Sequence, residues 1–101
     1  MRLVCIFDLP TKTLTDQREY RHFRKFLIKS GFIMTQESVY VKLCPNNVTA
    51  GNVIDSVKKH APPAGDMQLM MLTEKEYQKT VYVVGEKKSD VIDSTERLIF
   101  L

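Results

Sequence analysis

No apolar run in this sequence approaches the ~18 residues a membrane span needs. The first stretch, Met1-Arg2-Leu3-Val4-Cys5-Ile6-Phe7, meets an acid at Asp8. It is too short for a signal-peptide core and has no small-residue cleavage site, so a cytoplasmic location without membrane attachment is expected. Glycine is scarce, with four residues, and none forms a phosphate-cradling loop. A His–Glu zinc helix and a Gly-x-Ser-x-Gly nucleophile elbow are also missing. The two cysteines, Cys5 and Cys44, sit in apolar surroundings, without a second cysteine or a histidine at ligand spacing. Buried reduced thiols are expected rather than a disulfide or a zinc site. His22 and His60 have no evident triad partner and read as surface residues.

What remains is an ordinary globular composition, 44% hydrophobic and 27% charged, over 101 residues. That length supports one domain, residues 1–101, with one modest core. The net charge of +3 is mild and does not by itself mark a nucleic-acid binder. A homodimer would double it over one surface.

Residues 3–9 form an apolar run of strand length that ends at Pro10. Both parities are apolar, Leu3, Cys5 and Phe7 on one face and Val4 and Ile6 on the other. Such a strand is central and covered on both sides. Thr15 or Asp16 is expected to cap a helix running to about Ser30, stopped by Gly31. Tyr20, Phe23 and Leu27, with Phe26 beside them, are its core stripe. Arg18, Arg21, Lys25 and Lys29 form a separate basic stripe, and Arg24 adds a further charge. Residues 32–35 and 38–43 read as a hairpin turning at Gln36-Glu37. Asn47 is expected to cap a helix over 48–60, with Ala50, Val53, Ile54 and Val57 facing the core. Residues 66–72 are a fourth strand, and Thr73-Glu74-Lys75-Glu76 is a capping-box pattern opening one helical turn. Residues 80–84 read as another short strand, 85–90 as a charged loop, and 96–101 as a β-prone terminus.

The order β-α-β-β-α-β is an α+β, ferredoxin-like pattern with an extra C-terminal strand. Its helices cover one sheet face. The two-sided first strand therefore calls for a cover on the other face, and a second copy of the chain is the simplest. Leu98, Ile99, Phe100 and Leu101 offer a further dimer or partner contact, by adding to a sheet edge.

Asp8 is the candidate catalytic and metal-binding residue. It closes the first strand on a rigid element at a loop junction. A carboxylate with water and phosphate oxygens suits Mg²⁺. A turn-forming or capping aspartate is the plain alternative. Lys12, Arg18, Arg21, Arg24, Lys25, Lys87 and Lys88 are the candidate nucleic-acid contacts, against the reading of a merely solvated surface.

From Phe7-Asp8-Leu9-Pro10 onward, the chain resembles the CRISPR-associated Cas2 proteins, the small subunit of the spacer-acquisition machinery. The likeness continues through Tyr20-Arg21-His22-Phe23-Arg24-Lys25-Phe26-Leu27, Gly31-Phe32-Ile33-Met34 and Gln36-Glu37-Ser38-Val39-Tyr40. It resumes at Thr73-Glu74-Lys75, at Gly85-Glu86 and in the tail from Glu96 to Leu101. The resemblance implies a ferredoxin-like homodimer whose C-terminal strands pack on the partner's sheet. It also implies a complex with the larger Cas1 integrase, in which the dimer bridges beneath double-stranded DNA. It implies an endonuclease on RNA or double-stranded DNA that uses Mg²⁺ or Mn²⁺, with Asp8 at the metal position; a site with one protein ligand per chain is expected to hold the metal weakly and to turn over slowly. Many members carry tyrosine where this chain has Phe7.

Two other classes share the element order. An RRM-like single-stranded RNA-binding module without catalysis would expose aromatics on strands 1 and 3, here Phe7 and Tyr40. Residues 36–43 lack the glycines of that signature. A small-ligand regulatory dimer would need a ligand loop that the sequence does not offer.

Overall fold

The computed structural model describes residues 1–85. Lys87, Lys88, Leu98, Ile99, Phe100, Leu101 and the strand expected at 96–101 lie outside the described residues.

The elements run β1 (Arg2–Asp8), α1 (Leu14–Lys29), β2 (Ile33–Gln36), β3 (Val39–Leu43), α2 (Asn47–His60), β4 (Asp66–Leu72) and α3 (Glu74–Gln78). The sheet order is β2-β3-β1-β4, with antiparallel pairing throughout. This is the ferredoxin-like α+β arrangement, and β1 is central as its two-sided apolar pattern requires.

Helix α1 is capped at Thr13, two residues before the nearer of the expected caps. Thr13 Oγ1 accepts from the Asp16 amide at 3.0 Å, and the Asp16 carboxylate accepts from the Thr13 amide at 3.3 Å. This reciprocal box satisfies two otherwise orphaned donors, so Thr13 outcompetes Thr15 and Asp16 as the cap. Asn46 rather than Asn47 caps α2, its Oδ1 accepting from the Thr49 amide at 2.8 Å. The hairpin turn falls at Glu37-Ser38, with Ser38 at φ 66°. The capping box read from Thr73 to Glu76 is present and opens α3.

Residues 80–84 are not a strand. Val81, Val83 and Val84 are 81–90% exposed. β-branched residues favour a strand only where a sheet edge receives them, and these pair with no strand among the described residues.

The main core lies between the sheet and α1/α2. Leu3, Cys5 and Phe7 meet Tyr40, Phe23, Leu27, Ala50 and Val57 there. Tyr20 and Phe26 are half-buried at its margin. The second face of β1, where a second copy of the chain is the expected cover, is partly covered within the chain itself. Tyr77 of α3 packs on Val4 and Val41, with Ile6, Val39 and Leu72 at the edge. Arg2, buried at the start of β1, places its guanidinium 4.5 Å over the Tyr77 ring and donates from Nε to Glu74 at 2.6 Å. The chain thus clamps α3 onto its own sheet. Leu43 and Met70 stay exposed.

Candidate functional site

Side chains alternate along a strand, so Asp8 shares the face of Arg2, Val4 and Ile6, away from α1 and α2. The residue before it is firmly anchored. The Phe7 ring stacks on Tyr40 at 5.6 Å and meets Phe23 and Tyr20 edge-on at 5.4 and 6.0 Å. Its amide donates to the Ser38 carbonyl at 3.1 Å, which ties the end of β1 to the β2–β3 turn. Asp8 itself is exposed. It is therefore a carboxylate open to water, next to a residue held by ring contacts and a backbone hydrogen bond.

The register places Asp66, the first residue of β4, directly opposite Asp8. Asp66 is also exposed. Facing residues of an antiparallel pair have Cβ atoms about 4.5–5.5 Å apart. Gly65 makes the approach feasible. Its φ is +98°, and a Cβ there would lie 2.7 Å from the Asp8 carbonyl oxygen and 2.8 Å from Leu9 Cδ2. Only a residue without a side chain lets β4 begin flush against the end of β1. Neither acid makes an ion pair or a side-chain hydrogen bond among the described residues.

In the sequence Asp66 reads only as the first residue of the fourth strand, because its place opposite Asp8 depends on how β4 pairs with β1. Among the described residues, no three His, Cys, Asp or Glu side chains gather into a ready-made metal cage. The hard carboxylate oxygens of this strand end, with water completing the shell, nonetheless fit the donor preference of Mg²⁺.

The basic residues occupy a different part of the molecule. Phe23 and Leu27 point α1 at the core, so Arg18, Arg21, Lys25 and Lys29 run along its outer face. All four are exposed, and none forms an ion pair among the described residues. Lys12 is exposed in the loop before the cap. Arg24 is off this line on the flank, where its guanidinium faces the buried Tyr40 hydroxyl. Burial pushes the Tyr40 phenol above its ordinary pKa, and Arg24 pulls against that shift. The structure thus separates the acids from the stripe, with the helical layer's outer surface carrying the cations and the opposite sheet face carrying Asp8.

Phe7 and Tyr40 are 4% and 0% exposed. Both belong to the core beneath the helices, so the aromatic platform of an RRM-type RNA binder is absent from these positions. His60 is more than a surface residue. Its ring stacks on Phe26 at 4.0 Å and Nδ1 lies 2.9 Å from the Ser56 carbonyl, so it joins α2 to α1. Among the described residues, no helix is long and apolar enough to cross a membrane.

A family model described as "CRISPR associated protein Cas2" matches residues 1–80. A Treponema denticola protein named "CRISPR-associated endoribonuclease Cas2" is 43% identical over 101 residues, covering 100% of both chains. A Ligilactobacillus salivarius protein of the same name is 45% identical over 101 residues, again covering 100% of both. The crystal structure of Streptococcus pyogenes Cas2 at pH 6.5 superposes with a TM-score of 0.65. It is 17% identical and covers 84% of this chain and 100% of that one, a likeness of fold.

Proposed function

The chain belongs to the CRISPR-associated Cas2 family, and on that premise we propose that it is a homodimeric adaptation protein that binds nucleic acid and cleaves phosphodiester bonds slowly. In this reading the dimer bridges the Cas1 integrase during spacer acquisition, and its nuclease substrate is RNA or double-stranded DNA.

The observation that carries the nuclease half is the placement of Asp8. An exposed carboxylate, without an ion pair among the described residues, stands at the end of a strand locked by the Phe7 ring cluster. When bound there, Mg²⁺ or Mn²⁺ supplies an activated water and neutralises charge developing on the phosphate. Asp8 would hold the cation through its carboxylate oxygens. The anchored backbone keeps that carboxylate in place without reorganisation when a substrate phosphate arrives. In a symmetric dimer a second Asp8 can face the first across the axis.

The bridging half is supported by the outer face of α1. A scaffold for captured DNA of varying sequence needs phosphate contacts and no base reading, and a line of exposed cations supplies that. Dimerisation is supported by apolar surface left on the sheet, where Leu43 and Met70 are 52% and 41% exposed.

Asp8→Asn tests the nuclease. Cleavage of RNA and duplex DNA in Mg²⁺ is expected to vanish, while dimer mass and DNA affinity stay unchanged. Cleavage at the wild-type rate removes Asp8 from the mechanism. Light scattering of the protein with the integrase and a short duplex tests the bridge. A dimer that joins a larger DNA-bound assembly supports it, and a dimer that ignores the integrase leaves a free-standing nuclease.

A further inference from the structure

We propose that Tyr40 is a positioning residue for phosphate binding, its buried hydroxyl oxygen accepting a hydrogen bond from the Arg24 guanidinium when Arg24 holds a backbone phosphate of nucleic acid. This rests on the reading of the helical layer's outer surface as a nucleic-acid face.

Tyr40 is 0% exposed and stacks on Phe7 in the core beneath the helices. A phenyl ring would keep that stack. The hydroxyl is the part that packing does not require, and it lies buried without a hydrogen-bond partner. Leaving a buried hydroxyl unpaired is unfavourable, so the great majority of such groups in native proteins are paired. This one therefore calls for a partner that the fold by itself does not close upon it.

Arg24 is placed to become that partner. It follows Phe23, which points α1 at the core, so Arg24 leaves the helix on the flank beside Tyr40. Burial raises the phenol's pKa and the Arg24 guanidinium draws it back, yet the bond between them is not closed. Glu37, in the β2–β3 turn, and Tyr20 also act on this hydroxyl. Arg24 is exposed and forms no ion pair with Glu37 or any other acid among the described residues. Its charge is thus open to an anion from outside.

A guanidinium carries several N–H donors in one rigid plane and no acceptor. One edge can donate to the phenol oxygen while the other grips a phosphate in a bidentate pair. An arginine loose on a helix surface loses rotamer freedom when it does so, which opposes binding. Here the phosphate fixes Arg24, and the fixed Arg24 gives the Tyr40 oxygen the bond it lacks. Each contact favours the other.

The test is fluorescence anisotropy of the full-length protein with a labelled DNA duplex at constant salt, with melting temperature recorded for each variant. Tyr40→Phe is expected to bind about tenfold more weakly, the effect of losing one hydrogen bond to a charged group. Its melting temperature is expected to equal or exceed the wild-type value, since an unpaired hydroxyl has left the core. In an Arg24→Gln background the same change should move affinity by less than about twofold. Should Tyr40→Phe not fold, Arg24→Lys carries the test: it keeps the charge but lacks the planar fork, and should bind nearly as weakly as Arg24→Gln. Wild-type affinity in Tyr40→Phe, or in Arg24→Lys, overturns the role of Tyr40 and leaves the nucleic-acid face standing. A loss in Tyr40→Phe that persists in full without Arg24, or that comes with a lowered melting temperature, assigns the hydroxyl to the fold and overturns it too. Wild-type protein without affinity for the duplex overturns both readings together.

Discussion

Arg21→Gln should change how salt weakens DNA binding, by an amount that follows from the geometry of α1. Arg18, Arg21, Lys25 and Lys29 are exposed along one outer line, without ion pairs among the described residues. Eleven residues separate the ends of the line, about 16 Å at 1.5 Å per residue. A duplex presents a charge every ~1.7 Å of axis, so four contacts fit alongside about five base pairs. Each phosphate neutralised adds about −0.9 to the slope of log affinity against log salt. Four contacts give a slope near −3.6, or roughly a 150-fold loss between 50 and 200 mM salt. Arg21→Gln should bring the slope to about −2.7 and the loss to roughly fortyfold. If both protomers engage the same duplex, each figure for the slope doubles. The substitution is at a solvated position, so stability should move by no more than about 0.5 kcal/mol. Fluorescence anisotropy with a labelled duplex, repeated across a salt series, measures the slope directly. An Arg21→Gln slope equal to wild type would refute phosphate binding by this face, as would a wild-type affinity indifferent to salt.

Two further outcomes concern the body of the fold. Tyr77→Ala should cost about 3 kcal/mol of unfolding free energy, the low end for deleting a buried aromatic, because Tyr77 is 8% exposed and rests on Val4 and Val41. Urea denaturation measures it, and a cost under about 1 kcal/mol would mean that α3 does not hold the second sheet face. Burial pushes the Cys5 thiol up to about 11 from 9.0. At pH 8 only about one thiol in a thousand is then ionised, so alkylation of Cys5 in the folded protein should run at least about fiftyfold slower than in urea, followed by mass spectrometry. Equal rates would place Cys5 outside the core.

The order of elements was legible because each is written locally. β1 shows apolar residues at both parities, α1 shows Phe23 and Leu27 four apart, and Thr73 stands three before Glu76. Caps slipped by a residue or two at Thr13 and Asn46, where several polar residues in a row compete and only the completed hydrogen bonds decide. Residues 80–84 misled for a different reason. Their β-branched composition is a preference for a sheet edge, and it becomes a strand only when an edge is present. The exposed aromatics considered at Phe7 and Tyr40 failed for a similar cause. Each strand has two faces, and which one receives the helices is a property of packing.

The sequence by itself determined the α+β order, the acid closing β1, the cationic stripe on α1 and the family. These depend on spacings of a few residues or on resemblance along the chain. Tertiary structure alone decided that Asp66 faces Asp8 from 58 positions away. It also decided that Tyr77 and Glu74 close over Arg2 and Val4, and that the acids and the cations lie on opposite sides of the molecule. The physical reason is shared. Strand register and layer packing are set by the burial of many residues at once, and no short stretch of chain contains that information.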